Sequence, residues 1–200
     1  LTGQGASGPP MILTRYIRRH FIEKAVRAFQ PLGSVLEIGS GTRWRYFDGS
    51  TTLNRDASAK ADILCDAEAL ALADGSFLNI ACIEVLEHTL SPETLISEIH
   101  RVLEPGGKLL LTVPFVFEIH DARDYYRFTR MGLEHLLRDF SDIKIEPNGG
   151  VFCVLFHFIR LSIFGKLLYP VLNNLGYGLD CLFQRSDPRI TLGYTVVATK

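Results

Sequence analysis

Short apolar runs alternate with helical patterns along most of this 200-residue chain. Strands are predicted at residues 34–38, 51–53, 61–65, 79–83 and 108–113, each bounded by turn-forming residues. Between the fourth and fifth runs, Ser91 and Pro92 begin a predicted helix, which Pro105 and two glycines end. Strands that alternate with helices form a parallel sheet with helices on its faces. The pattern therefore predicts an α/β domain.

The two ends of the chain complete this prediction. An amphipathic helix is predicted at residues 15–29, and its basic side chains, Arg18 among them, are predicted to be solvated surface. A helix at residues 130–140 and strands at residues 143–146 and 191–199 follow the fifth strand. Residues 1–10 are rich in glycine and are predicted to be a flexible arm or a remnant left by cloning. Residues 11–200 are predicted to be a single domain.

The charge balance and the cysteines argue against several classes of function. The chain has 21 Lys and Arg against 22 Asp and Glu, so its net charge of -1 creates no field that would attract nucleic acid. Its four cysteines lack any metal-ligand spacing, and most lie in apolar runs. We expect no nucleic-acid partner, no metal site and a reducing, cytoplasmic compartment.

The longest apolar stretch, residues 151–164, is interrupted by His157 and Arg160 and lies within a largely apolar segment at residues 151–183. The segment falls short of the roughly 20 uninterrupted apolar residues that a membrane-spanning helix needs. A helical insertion is predicted, either folded over the sheet or buried in a homodimer. The alternatives are a lid over an apolar acceptor and a peripheral contact with a membrane surface.

A glycine-containing loop follows the first strand in the run VLEIGSGT, residues 35–42. Gly39 and Gly41 have no Cβ, so they allow a tight turn and let a ligand lie against backbone N–H groups. A dinucleotide-binding loop has a third glycine three positions after Gly41, where this chain has Trp44. A nicotinamide-dependent oxidoreductase is therefore a disfavoured alternative. A second alternative is that the glycines only form a tight turn between strand and helix and bind no ligand.

Several stretches together resemble the class I S-adenosyl-L-methionine (SAM)-dependent methyltransferases. VLEIGSGT is similar to their first motif, and DAEAL at 66–70, DGSF at 74–77, EVLEH at 84–88 and RVLEPGG at 101–107 match later motifs in the same order. The resemblance covers residues 34–116. It implies a three-layer Rossmann-like sandwich whose mostly parallel seven-stranded sheet has the order 3-2-1-4-5-7-6, with the last strand antiparallel. It also implies SAM as the cofactor.

The resemblance assigns the cofactor's parts to particular residues. Asp56 is the first choice for binding the ribose hydroxyls, although counting back from the third strand selects Asn54 instead. Asp66 is expected to accept a hydrogen bond from the adenine amino group, and the Ala67 N–H to pair with a ring nitrogen. Glu37 is expected to orient the cofactor's ammonium group or the glycine loop. The other implied cofactor residues are Gly39, Ser40, Gly41, Ile83 and Glu84.

Two positions depart from the family pattern. Arg43 stands where the family usually has a third glycine, and Leu78 stands where it usually has an aspartate. Both departures bear on activity more than on fold. They motivate the alternative of a non-catalytic SAM-binding or scaffold protein that has kept a degenerate methyltransferase fold.

The acceptor side is predicted from the residues that follow the fourth and fifth strands. Methyl transfer from a sulfonium is an in-line displacement that does not require a base, and His88 and His120 are the candidates if one is needed. Both are alternatively hydrogen-bonded structural histidines. Tyr125 and Tyr126 are predicted to line the acceptor pocket and Arg127 to anchor the acceptor, unless an Asp124–Arg127 pair merely pins the loop. The predicted acceptor is a small molecule or of lipid or glycan type.

Overall fold

The structure is a computed structural model that describes residues 17–41, 45–160, 165–183 and 189–200. The predicted arm at residues 1–10, Arg43 and Trp44 lie outside the described residues. The helices are α1 (Ile17–Phe29), α2 (Pro92–Val102), α3 (Arg130–Leu136), α4 (Val151–Arg160) and α5 (Gly165–Phe183). The strands are β1 (Val35–Ile38), β2 (Thr51–Asn54), β3 (Ile63–Leu64), β4 (Phe77–Ile83), β5 (Leu103–Pro114), β6 (Ser141–Pro147) and β7 (Gly193–Thr199).

The seven strands form one sheet in the order β3-β2-β1-β4-β5-β7-β6. Neighbouring strands from β3 to β5 pair in parallel, whereas β7 is antiparallel to both β5 and β6. The predicted sheet order and the antiparallel last strand are confirmed. Because β1 to β5 run in the same direction, their carboxyl ends meet at one edge of the sheet, where ligands of open α/β sheets bind.

Helices cover both faces of the sheet, which makes a three-layer structure. Side chains alternate along each strand, so Ala81 and Ile83 of β4 pack with Ile22 of α1 on one face. Ile80 and Cys82 point to the opposite face. The larger core on that face includes Leu95, Ile96 and Ile99 of α2, Leu133 and Leu136 of α3, and Leu109 and Leu111 of β5.

Two local predictions were wrong. The helix predicted at residues 130–140 ends at Leu136, and a turn then leads to Phe140, which is buried in the core. Strand β5 begins at Leu103 directly after α2, and the PGG segment is a bulge in that strand, where the register with β4 shifts. In both cases packing in the folded protein outweighs the local turn or helix signal.

Helices α4 and α5 form a hairpin between β6 and β7. The carboxylate of Asp180 in α5 accepts hydrogen bonds from the backbone N–H groups of Gly150, Phe152 and Cys153 at 2.7–3.1 Å, which caps the start of α4. Among the described residues, no helix combines the length and the apolarity that crossing a bilayer requires. Several apolar side chains of the hairpin are exposed, including Leu155, Phe158, Leu168, Val171, Leu175 and Phe183.

Candidate active site

A cavity of about 240 Å³ opens at the carboxyl edge of the sheet. The segments that follow β1, β2, β3 and β4 form its walls, and one residue of the loop after β5 closes it. This is the place that the strand order predicts for a ligand. Its lining residues are Ile38, Gly39, Leu53, Asn54, Arg55, Cys65, Asp66, Ala67, Val85, His88, Thr89 and Asp121.

The glycine loop lies against this cavity, but its glycines are required by packing within the protein. Gly39 has φ +81°, and a Cβ there would lie 2.3 Å from Cγ2 of Val85. A Cβ on Gly41 would lie 2.2 Å from the carbonyl oxygen of Ala59. The N–H of Gly39 donates to the carbonyl oxygen of Leu53 at 2.7 Å, so this group is engaged within the protein. Gly41 and Ser40 do not line the cavity.

Glu37 connects the glycine loop to the segment at residues 46–50. Its side chain is fully buried, and its carboxylate accepts hydrogen bonds from the hydroxyl groups of Ser40 and Ser50 and from the backbone N–H groups of Tyr46 and Phe47. These four groups satisfy a charge that would otherwise be costly to bury. Of the two roles predicted for Glu37, this geometry fits the orientation of the loop.

The end of β2 presents Asn54 to the cavity, whereas Asp56 does not line it. The Asn54 amide donates to the carbonyl oxygen of Gly39 at 2.8 Å and accepts from the Asp56 N–H at 2.9 Å. The Asp56 carboxylate accepts from the Ser58 N–H at 2.8 Å, which caps the short 3₁₀ helix Ala57–Ala59. That hydrogen bond lowers the pKa of Asp56 below its ordinary value. Asp56 therefore shapes the turn after β2, as aspartate commonly does in turns.

The other implied cofactor residues divide between the cavity and the core. Asp66 and Ala67 follow β3 and line the cavity, and the Asp66 carboxylate accepts a hydrogen bond from the Glu68 N–H at 3.0 Å. Ile83 packs against α1 on the opposite face, and Glu84 does not line the cavity. The Val85 side chain occupies the wall where these two residues were expected. Leu78 lies at the amino end of β4, far along the strand from the cavity edge.

Arg18 of α1 was predicted to be solvated surface, but its side chain is buried. Its side chain is 6% exposed and forms an ion pair with Glu84, with the ring of Phe117 4.4 Å from its guanidinium carbon. Burial lowers the pKa of Arg18 to about 10, although the nearby Glu87 opposes that shift. Glu84 adopts φ +57° and also accepts a hydrogen bond from the Thr112 hydroxyl at 2.9 Å. The helix thus contributes a buried cation to the carboxyl edge of the sheet.

Both candidate histidines lie at this edge and face each other. The ring centroids of His88 and His120 are 5.0 Å apart. Nδ1 of His88 lies 2.6 Å from the carbonyl oxygen of Arg123, and Nδ1 of His120 lies 3.0 Å from the Asp124 carboxylate. Burial, chiefly, and the positive charge of Arg18 lower the pKa of His120. His88 lines the cavity, whereas His120 lies behind it.

The loop after β5 is pinned by an ion pair. Arg127 holds the buried Asp124 carboxylate through both of its terminal nitrogens, and it also donates to the carbonyl oxygens of Glu118 and Tyr126. This pairing keeps the pKa of Asp124 well below its usual range. The geometry matches the alternative in which an Asp124–Arg127 pair pins the loop. Tyr125 and Tyr126 are 46% and 39% exposed and do not line the cavity.

Sequence reasoning missed several residues of this site. Arg55, Val85, Thr89 and Asp121 line the cavity. Glu87, which is fully buried beside His88, was read only as part of a motif. A charged residue inside the apolar surroundings of EVLEH was the signal that could have identified Glu87.

Known proteins resemble this chain in sequence and in structure. Residues 36–111, which run from β1 into β5, match the family model described as "Methyltransferase domain". A SAM-dependent methyltransferase from Archaeoglobus fulgidus superposes with a TM-score of 0.60 at 17% identity, covering 91% of this chain and 94% of that one. The chain thus shares the fold of this SAM-dependent methyltransferase, and residues 36–111 match the methyltransferase model.

Two further proteins resemble part of this chain and are longer than the part that matches. Phosphoethanolamine N-methyltransferase 2 of Haemonchus contortus, solved with SAM, has a TM-score of 0.56 at 20% identity over 90% of this chain and 52% of that one. Ubiquinone biosynthesis O-methyltransferase of Pseudomonas paraeruginosa is 33% identical over 64 residues, which is 32% of this chain. The chain matches about a quarter of the length of that curated relative.

Proposed function

We propose that the protein transfers a methyl group from SAM to a small-molecule or lipid- or glycan-type acceptor. The observation that carries the proposal is the cavity at the carboxyl edge, built by the loops after β1 to β4 in a chain with the methyltransferase fold. Its walls offer a carboxylate at Asp66, an amide at Asn54 and apolar groups at Ile38 and Val85. This combination suits a ligand with both polar and flat apolar parts.

The cofactor residues that we propose are those that line this cavity. When bound, SAM supplies a methyl group on a positively charged sulfur. Asp66 accepts from the adenine amino group and the Ala67 N–H pairs with a ring nitrogen, while Asn54 replaces Asp56 as the residue nearest the ribose. The contacts of Asn54 with Gly39 and Asp56 support this assignment, because they fix its amide at the cavity wall. Glu37 contributes by holding the loop in place.

The acceptor side is proposed at the His88 end of the cavity. His88 lies on the wall, and Asp121 from the loop after β5 closes the same side. The chain's contribution to transfer is to align an acceptor atom with the sulfur–carbon bond and to exclude water. Tyr125, Tyr126 and Arg127 support the loop that carries Asp121, and they act on the acceptor through that loop.

A non-catalytic SAM-binding protein is the alternative that Arg43 and Leu78 motivate. The position of Leu78 argues against it, because Leu78 lies at the amino end of β4 and its side chain covers Gly33. A nicotinamide-dependent oxidoreductase is the less favoured alternative. The two differ from the main proposal in their ligands, since a scaffold binds SAM without transfer and an oxidoreductase binds NADH.

A reducing compartment such as the cytoplasm is proposed for the protein. All four cysteines are free, and Cys82 and Cys153 are buried thiols whose pKa values burial raises. The contact of residues 151–183 with a membrane surface or with a second copy of the chain stays a prediction.

Transfer of a labelled methyl group tests the proposed function. The protein is incubated with methyl-labelled SAM and a fractionated small-molecule and lipid extract, beside Asp66→Ala as the control with an impaired cofactor wall. We expect labelled product with the wild type and much less with the variant. Binding of SAM without labelled product in any fraction would favour the scaffold alternative.

A further inference from the structure

The buried carboxylate of Glu87 lies between the imidazole rings of His88 and His120 without a hydrogen bond to either. Its side chain is fully buried, and neither of its oxygens has a hydrogen-bond partner among the described residues. Nε2 of His88 lies 3.8 Å from Oε1 of Glu87, and Nε2 of His120 lies 3.9 Å from the same oxygen. These distances are too long for hydrogen bonds. A buried carboxylate without partners is costly and requires an explanation.

The partner of Nδ1 in each histidine determines whether Nε2 carries a hydrogen or a lone pair. The carbonyl oxygen of Arg123 can only accept, so Nδ1 of His88 carries the hydrogen. Nδ1 of His120 lies 3.0 Å from the Asp124 carboxylate, which Arg127 holds and which can only accept, so the hydrogen of this ring is assigned to Nδ1 as well. A ring whose hydrogen is on Nδ1 can offer the lone pair of Nε2, which is the nitrogen 3.8–3.9 Å from Glu87. A carbonyl or carboxylate on the outer nitrogen is also what orients metal-binding histidines.

We propose that Glu87, His88 and His120 bind one divalent transition-metal ion. Their ligand atoms all lie within 4.8 Å of one another. Metal–nitrogen and metal–oxygen bonds of about 2.0–2.2 Å require ligand atoms roughly 3.3 Å apart. Each histidine nitrogen therefore has to approach Glu87 by about half an ångström, and the two histidine nitrogens have to approach each other by up to about 1.5 Å. Two imidazoles and one carboxylate suit zinc, iron, cobalt or manganese better than calcium or magnesium.

The charges around the group favour a cation. The guanidinium of Arg18 is paired with Glu84 and lies 3.6 Å from Oε1 of Glu87, beyond hydrogen-bond distance. Arg127 is paired with Asp124. Two cations thus face three carboxylates, which leaves an excess negative charge around Glu87. A bound cation would neutralise it and would accept the two histidine lone pairs.

The sequence did not predict this site, because its ligands come from two separate loops. Glu87 and His88 belong to the short 3₁₀ helix after β4, whereas His120 belongs to the loop after β5. The parallel pairing of β4 and β5 brings the two loops to the same edge of the sheet. His120 is too far along the chain from Glu87 and His88 for the three residues to form a recognisable metal-binding motif in the sequence.

This inference deepens the proposed function and rests on it for its chemistry. His88 lines the cavity, so an ion beside it would lie next to the acceptor. Three protein ligands leave coordination positions open, and a divalent ion there would lower the pKa of an acceptor hydroxyl. The hydroxyl proton passes to water, the oxygen forms a bond to the methyl carbon, and the sulfur–carbon bond breaks with its electrons on sulfur. S-adenosylhomocysteine and a methyl ether result, which assigns a hydroxyl acceptor.

Metal titration of the whole protein tests the site without any acceptor. Chelator-treated protein is titrated with Co²⁺, followed by visible absorption, and with Zn²⁺, followed by calorimetry. We expect one ion per chain. Glu87→Gln keeps the shape of the side chain and His120→Ala removes a ligand. Each is expected to weaken binding by about 100-fold or more, because losing even an outer-shell partner of a ligand costs roughly 10- to 100-fold. Glu93→Gln and His135→Ala, which change exposed residues of the same types, are the matched controls.

Binding of S-adenosylhomocysteine, measured on the same samples, separates this inference from the proposed function. Ion binding without S-adenosylhomocysteine binding would overturn the proposed function and leave the metal site standing. S-adenosylhomocysteine binding without ion binding would overturn the metal site and leave the function, with a water or a proton between Glu87 and the histidines. Equal ion affinity in Glu87→Gln and in the wild type would also overturn the site.

Discussion

The loop after β1 and the segment after β4 touch so closely at Gly39 and Val85 that a Cβ on Gly39 would lie 2.3 Å from Cγ2 of Val85. Gly39 also has φ +81°, which side chains other than that of glycine rarely adopt. The two strand ends that form the cavity are thus locked together by the absence of a side chain. This contact explains the glycine without any reference to the cofactor.

Gly39→Ala is expected to lower the free energy of unfolding by about 2–4 kcal/mol, because backbone strain and overpacking add. Gly49→Ala is the matched control, since Gly49 has φ +75° but no atom within 4 Å of the added Cβ. It is expected to cost only about 1–2 kcal/mol. Urea unfolding measures both, and Val85→Ala in the Gly39→Ala background should restore part of the loss. Equal losses at the two glycines would contradict the packing explanation.

Glu37→Gln tests whether the buried carboxylate holds the loop. The amide keeps the size of the side chain but replaces one acceptor oxygen with a donor, which then faces N–H groups. We expect a loss of about 2–3 kcal/mol in the free energy of unfolding, the usual cost of a hydrogen bond to a charged group. Glu93→Gln at an exposed position should change stability by less than about 0.5 kcal/mol. An unchanged denaturation midpoint for Glu37→Gln would show that the loop does not depend on the charge.

Glu98 makes the stability of the protein depend on pH. Arg101 donates hydrogen bonds to both of its carboxylate oxygens at 2.8 Å, and the Leu70 N–H donates a third at 2.9 Å. These bonds, chiefly those from Arg101, lower the pKa of Glu98 in the folded state. A lowered pKa stabilises the fold above the unfolded-state pKa of about 4.3, and the contribution is lost as the pH falls further.

The measurement is the difference in free energy of unfolding between the wild type and Glu98→Gln from pH 7 to pH 3. We expect the wild type to be more stable at pH 7 and the gap to shrink as the pH falls from about 5 to 3. A gap that stays constant over this range would mean that the ionised carboxylate contributes nothing.

Asp66 and Asp56 give opposite expectations for cofactor affinity. Asp66 lines the cavity, whereas Asp56 caps a 3₁₀ helix outside it. Asp66→Ala should weaken SAM binding by roughly 10- to 150-fold, the equivalent of one lost hydrogen bond to a charged group. Asp56→Ala should change the affinity by less than about threefold. Calorimetry with each variant decides, and a larger loss for Asp56→Ala would restore it as the ribose ligand.

The sequence predicted the sheet well because short apolar runs and turn residues are local signals. The resemblance added the strand order, and both were confirmed down to the antiparallel β7. Arg18 was wrongly assigned to the surface, because helical spacing alone does not reveal that the helix passes over the carboxyl edge of the sheet. The proximity of Glu87 and His120 could not be predicted either, because it depends on the pairing of β4 with β5.

Equilibrium binding of SAM, S-adenosylhomocysteine and NADH to the wild-type protein tests the central claim most directly. Calorimetry is expected to show one molecule of SAM or S-adenosylhomocysteine bound per chain, with no heat from NADH, because Trp44 stands where a pyrophosphate loop needs glycine. Absence of SAM and S-adenosylhomocysteine binding at millimolar ligand, or saturable binding of NADH, would contradict the assignment of this cavity to a methyltransferase cofactor.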